Sequence, residues 1–194
     1  MTPFVGGRAD APVVIDGEGW MEGAERRPST HWDARPSGTS IDLLVVHNIS
    51  LPPGEFGGPW VDDLFLGRLD AKAHPYFEVA GAGGRVSSHL LIRRDGHLLQ
   101  YVPMERRAWH AGHSCFGGRE RCNDFSIGIE LEGDDVTAFE PPQYQTLARA
   151  TRAIMARYPA IGPERIVGHS DIAPGRKTDP GPQFDWAFFL TLIR

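Results

Sequence analysis

The chain has 194 residues, 41% of them hydrophobic and 23% charged, a length and balance that suit one soluble globular domain with its own core. Its longest apolar runs, such as Leu43 to Val46 and Ala187 to Leu190, are far too short to cross a bilayer, which excludes a membrane protein. A net charge of -5 with dispersed arginines leaves no electrostatic footprint for a polyanion, so nucleic acid is not an expected partner.

Residues 1–19 carry turn formers and no sustained periodicity, and are expected to form a loosely attached N-terminal extension to a domain over residues 20–194. Met1 to Trp20 lacks the basic start and long apolar core of a secretory leader. Cys115 and Cys122 are too few for a disulfide framework. Both observations point to the cytoplasm. They leave the oligomeric state open, and a monomer satisfies them.

Ile41 to His47 is apolar on both faces and of strand length, which predicts a central strand ending at the polar pair His47-Asn48. The ends of buried strands are where α/β folds tend to place ligands. Trp60 to Leu69 has helical spacing interrupted by Gly67. Ser88 to Arg93 and His97 to Val102 flank Asp95-Gly96, a dipeptide suited to a tight turn, and predict an antiparallel hairpin.

Phe125 to Leu131 alternates apolar with small or polar residues and predicts a strand, with Glu130 an unexpected charge between Ile129 and Leu131. Gln143 to Tyr158 repeats apolar residues at helical spacing and is closed by Pro159. Arg165 to Gly168 offers a short strand leading into His169, and Phe184 to Ile193 a closing helix.

The loop from Gly168 to Pro182 gathers His169, Asp171, Lys177 and Asp179. Imidazole and carboxylate suit zinc, and a catalytic zinc site takes three such ligands. His47, His169 and Asp179 form one candidate set. Spacing alone does not choose it, because His47 also reads as a hydrogen-bonded core histidine and Asp179 as a turn residue before Pro180-Gly181.

Four stretches carry a resemblance that does choose: Leu44 to Gly54 (LVVHNISLPPG), Arg107 to Gly112 (RAWHAG), Cys122 to Gly133 (CNDFSIGIELEG) and Gly168 to Gly181. In this order they resemble the AmpD family of cytoplasmic 1,6-anhydro-N-acetylmuramyl-L-alanine amidases, within the wider amidase and peptidoglycan-recognition superfamily. The resemblance runs from about Trp20 to Trp186. It implies an α/β domain with a central mixed sheet flanked by helices, in agreement with the elements above.

It also implies zinc held by His47, His169 and Asp179, with Glu130 and Lys177 as catalytic residues. Glu130 would move a proton, and Lys177 would stabilise the oxyanion formed when an amide carbonyl is attacked. The implied substrate is an anhydromuropeptide, cut between the lactyl carbonyl and L-alanine during peptidoglycan recycling. Asn48, Arg85, Arg121 and Ala173 match substrate-contacting positions, the arginines being suited to peptide carboxylates.

Trp109 and His110 are expected to line the cleft, His110 being the alternative ligand to His47. His89, His113 and Asp171 are left in supporting roles. The glycine-rich stretch Ala80 to Gly84 before Arg85 and the length of the N-terminal arm depart from the family pattern. Two other functions compete with a zinc amidase. One is a non-catalytic peptidoglycan-recognition module, which an incomplete ligand set would favour. The other is a cysteine hydrolase, for which neither Cys115 nor Cys122 sits in a nucleophile motif.

Overall fold

Leu43 to Val46 have no exposed surface, and four such residues in a row are satisfied only inside a sheet covered on both faces. They open the central strand of the computed structural model, which describes residues 13–82 and 84–194. In chain order the strands are β1 (Glu25–Arg26), β2 (Trp32–Ala34), β3 (Leu43–Ile49), β4 (Leu90–Ile92), β5 (Leu98–Gln100), β6 (Arg106–Ala108), β7 (Cys115–Phe116), β8 (Arg119–Glu120), β9 (Ser126–Glu132) and β10 (Ile166–Gly168). The helices are α1 (Trp60–Phe65), α2 (Pro75–Ala82), α3 (Pro141–Arg157), α4 (His169–Ile172) and α5 (Trp186–Leu192).

Six strands form one mixed sheet in the order β1-β5-β4-β9-β3-β10. β4, β9, β3 and β10 run parallel, while β4 and β5 form the expected antiparallel hairpin. At its turn Gly96 adopts a φ of 84°, a left-handed conformation that a side chain would oppose.

Alternation along the strands divides the core. Leu44, Val46, Ile127, Ile129 and Leu131 face one way and pack with Leu147 and Ile154 of α3 and Phe189 of α5. Leu43 and Val45 face the other way, with Phe125 and Ile172, while Leu91, Leu99 and Tyr101 pack with Phe65 of α1 and Phe77 of α2. Each fully buried aliphatic or aromatic side chain contributes about 1.5–3 kcal/mol.

The α3 helix begins at Pro141-Pro142, where missing N–H groups cost nothing, and the Gln143 side chain reaches back to accept from Glu140 N at 3.0 Å.

The mixed sheet and flanking helices agree with the expectation from the sequence. What the sequence did not announce are α2 and the two- and three-residue strands β1, β2, β6, β7 and β8, which are too short to carry a period. The expected N-terminal extension needs a correction at its inner end. Residues 1–12 lie outside the described residues, but Ile15 and Met21 pair across an antiparallel bridge and are only 7% and 1% exposed. The buried Gln100 amide accepts from Met21 N at 2.7 Å and donates to Gly19 O at 2.8 Å. Residues from Ile15 to Gly19 therefore pack with the domain rather than forming part of a loose arm.

Candidate active site

The parallel register sets His47 of β3 directly beside Glu130 of β9. Parallel neighbours in register point to the same face, so both side chains emerge together near the carboxyl ends of their strands. β10 adds the next element on the other side of β3, and the chain turns from Gly168 straight into α4, whose first residue is His169. Asp171 Oδ2 accepts from Gly168 N at 2.7 Å, which closes that turn. Ser170 N donates to Asp179 O at 2.9 Å and draws the following loop back over His169.

The result is a triangle of donor atoms. His47 Nδ1 lies 3.0 Å from His169 Nδ1 and 2.9 Å from Asp179 Oδ2, and the last two are 3.0 Å apart. All three residues are buried. Zinc bonds of about 2.0–2.1 Å in a tetrahedral site place ligand atoms roughly 3.3 Å from one another, close to this spacing.

Proton placement supports a cation at the centre. His169 Nε2 lies 3.0 Å from the Ala111 carbonyl, which only accepts, and farther, at 3.4 Å, from the Arg176 guanidinium, so the closer contact puts the proton on Nε2. A neutral ring in that tautomer aims a bare Nδ1 lone pair at the Asp179 carboxylate, an arrangement that a cation between them relieves. His47 makes the matching contact on its outer side, with Nε2 2.9 Å from His110 Nδ1.

The charge states also suit ligation, which requires neutral imidazole and ionised carboxylate. Burial lowers the His47 pKa to about 4, against the opposing pull of its hydrogen bond to Asp179. For Asp179 burial acts to raise the pKa, but the imidazoles of His169 and His47 packed against it outweigh burial and hold the carboxyl well below its ordinary range. These residues fit a metal ion.

Glu130 is 7% exposed, and its Oε2 has no hydrogen-bond partner. Burial pushes its pKa well above the ordinary value, the charge of Asp179 adds to the shift, and Lys177 opposes it. Lys177 is exposed on the loop between α4 and Asp179 and faces the same cleft. That cleft has a volume of about 890 Å³ and contains the donor triangle and Glu130 on its walls.

Among the expected contact residues, Asn48, Trp109 and His110 line the cleft. The Asn48 amide donates to Asp135 Oδ1 at 2.8 Å and to Pro180 O at 3.1 Å. Arg85, Arg121 and Ala173 are not on its walls. Arg85 is exposed, the Arg121 side chain is 71% exposed beside Asp124, and Ala173 is 5% exposed behind α4. Tyr76, Arg176 and the loop residues Asp134, Asp135 and Val136 line the cleft without having been expected there. Val136 gives a hint in retrospect only, as an apolar residue left 80% exposed.

Residues 37–182 match the family model described as N-acetylmuramoyl-L-alanine amidase. The chain belongs to this amidase family.

Family membership makes the chain an amidase, and it matches its AmpD relatives over nearly their whole length. It is 63% identical to the 1,6-anhydro-N-acetylmuramyl-L-alanine amidase AmpD of Citrobacter freundii over 182 residues, covering 93% of this chain and 95% of the relative. That match is longer than the stretch from Trp20 to Trp186 that carries the resemblance. The crystal structure of a selenomethionine AmpD derivative superposes with a TM-score of 0.89 at 61% identity, covering 93% of this chain and 99% of the other.

A more distant amidase, AmiD from Escherichia coli, was solved in complex with the substrate anhydro-N-acetylmuramic acid-L-Ala-D-γ-Glu-L-Lys. It superposes with a TM-score of 0.59 at 33% identity, covering 93% of this chain and 65% of that one.

Proposed function

We propose that this amidase is zinc-dependent and hydrolyses the amide between the lactyl group of 1,6-anhydro-N-acetylmuramic acid and the L-alanine of a muropeptide. The observation that carries the reading is the triangle of His47, His169 and Asp179 beside an unpartnered Glu130 in one cleft. Zinc in that triangle would supply Lewis acidity, activating water and polarising the amide carbonyl.

The chain's own groups do the rest. Glu130 takes a proton from the attacking water and returns it to the L-alanine nitrogen as the C–N bond breaks. Burial raises its pKa above the ordinary carboxyl value, which makes it a stronger base toward the attacking water. Lys177 Nζ neutralises the charge that develops on the carbonyl oxygen.

Asn48, Trp109 and His110 stand on the walls that receive the sugar and the first peptide residues. Arg85 and Arg121, exposed outside the cleft, would meet only the carboxylates of a longer peptide, and Ala173 would act by shaping α4. Among the described residues no helix is long and apolar enough to cross a membrane. The substrate would be a soluble muropeptide met in the cytoplasm in the course of peptidoglycan recycling, a reading supported by the likeness to the 1,6-anhydro-N-acetylmuramyl-L-alanine amidases.

Incubation of the zinc-loaded protein with anhydromuropeptide should release free peptide. Chelation should abolish the release and added zinc restore it. Absence of release from folded, zinc-loaded protein would favour the non-catalytic recognition module.

A further inference from the structure

We infer that the His110–Ala111 peptide is a cradle that fixes the ring orientation and proton placement of both metal-binding histidines, and that Asn123 is the positioning residue that holds it. The inference rests on the metal reading above. His47 comes from β3 and His169 from α4, yet their outer nitrogens converge on two adjacent residues. His47 Nε2 meets His110 Nδ1 at 2.9 Å, and His169 Nε2 donates to Ala111 O at 3.0 Å.

With Nδ1 of His47 turned to the metal, its Nε2–H donates to His110, whose own proton then lies on Nε2, 3.2 Å from Ser126 Oγ. Outer partners of this kind fix the tautomer and ring plane of a ligating histidine.

The cradle lies in the loop between β6 and β7, outside any strand ladder. Its two N–H groups instead donate to one atom, Asn123 Oδ1, at 3.1 Å from His110 N and 2.8 Å from Ala111 N. Two converging donors require an acceptor there, and the carboxamide oxygen supplies it.

Asn123 is itself anchored in a 3-10 turn, Cys122–Asp124. Cys122 N donates to Ser114 Oγ at 3.1 Å, Arg35 donates to Asn123 O at 3.1 Å, and the Asp124 carboxylate pairs with Arg107. On the opposite side β9 leaves a slot. A Cβ on Gly128 would lie 2.5 Å from His110 Cγ, so only glycine lets the imidazole seat against the strand.

The test compares wild type, Asn123→Ala and Asn123→Asp, the last of which keeps an acceptor oxygen in the same place. Zinc affinity is measured by chelator competition, and the ring tautomers of His47 and His169 by nitrogen chemical shifts. Asn123→Ala should bind zinc about 10-fold more weakly, the lower end of the cost of losing an outer partner, because it loosens the partners without removing them, and should lose the uniform Nε2–H tautomer. Asn123→Asp should recover both.

His110→Phe, which fills the slot without an acceptor, should weaken zinc binding without help from Asn123. If wild type binds zinc and these variants bind it equally well, with thermal stability alone reduced, the cradle is only structural and the inference fails. If wild type takes up no zinc, the metal reading itself fails.

Discussion

Glu130 and Glu132 stand two residues apart on β9, on the same face of the sheet, and are 7% and 2% exposed. Their surroundings are opposite. Glu132 accepts from Gly57 N at 2.7 Å, from Arg93 at 2.8 Å and from Arg94 N at 3.1 Å, and Arg93 in turn grips Asp62, which also holds Arg27 and the Tyr101 hydroxyl. Glu130 Oε2 has nothing.

A buried charge without a partner costs far more than it returns, whereas a paired one is held in place by its hydrogen bonds. The difference separates a carboxylate that builds the structure from one kept free for chemistry. Glu132 ties β9 to the loop that carries Pro53 and Gly54 along the cleft rim; Glu130 leaves an oxygen ready for a proton.

The sharpest way to break that contrast is Glu130→Gln, which keeps the shape of the side chain but cannot carry the proton. It should lower the rate of peptide release about 10²- to 10⁴-fold while zinc content stays at the wild-type level. Full turnover in this variant would remove Glu130 from the mechanism.

Next in size is Glu132→Ala. Removing one member of a buried, hydrogen-bonded ion pair typically costs about 3–5 kcal/mol, and denaturant melts should show a loss at the lower end of that range because Arg93 keeps Asp62. A loss of only a few tenths would mean that the network is ornamental. Lys177→Ala tests the other side of the cleft. The exposed loop should leave stability unchanged, while kcat falls by roughly 10²-fold or more with the loss of an oxyanion-stabilising charge.

The sequence made β3, β9, the hairpin and α3 legible because each is long enough, or sharply enough turned, to show its period. The candidate ligands needed more. His47 was visible as a polar residue ending an apolar run, but nothing periodic ties it to His169 and Asp179. The tie is the parallel register of β3 with β10 and the bond from Ser170 N to Asp179 O, both properties of the assembled sheet and loop.

Glu130 and Glu132 look alike in the string FSIGIELEG, and only the position of Arg93, 39 residues earlier, tells them apart. The packing of residues 15–19 is hidden in the sequence for the same reason. Ile15 and Met21 lack a period, and it is the distant Gln100 that fixes the backbone at Gly19 and Met21.

The smallest effect concerns stability against pH in metal-free protein. Burial raises the folded-state pKa of Glu130 well above its ordinary value of 4.5, so the folded protein holds a proton there that the unfolded chain has already released. Stability must then fall as pH rises from the unfolded value through the folded one. Glu130→Gln removes this penalty, and groups common to both proteins largely cancel in the difference.

The chelated variant should therefore match wild type near pH 4 and exceed it at pH 8, by on the order of 1 kcal/mol, the cost of an unsatisfied buried group. Glu132→Gln, measured in parallel, should never exceed wild type. If both glutamines stabilise the protein equally at pH 8, the two carboxylates are alike in energy, and the contrast drawn from their hydrogen bonds is wrong.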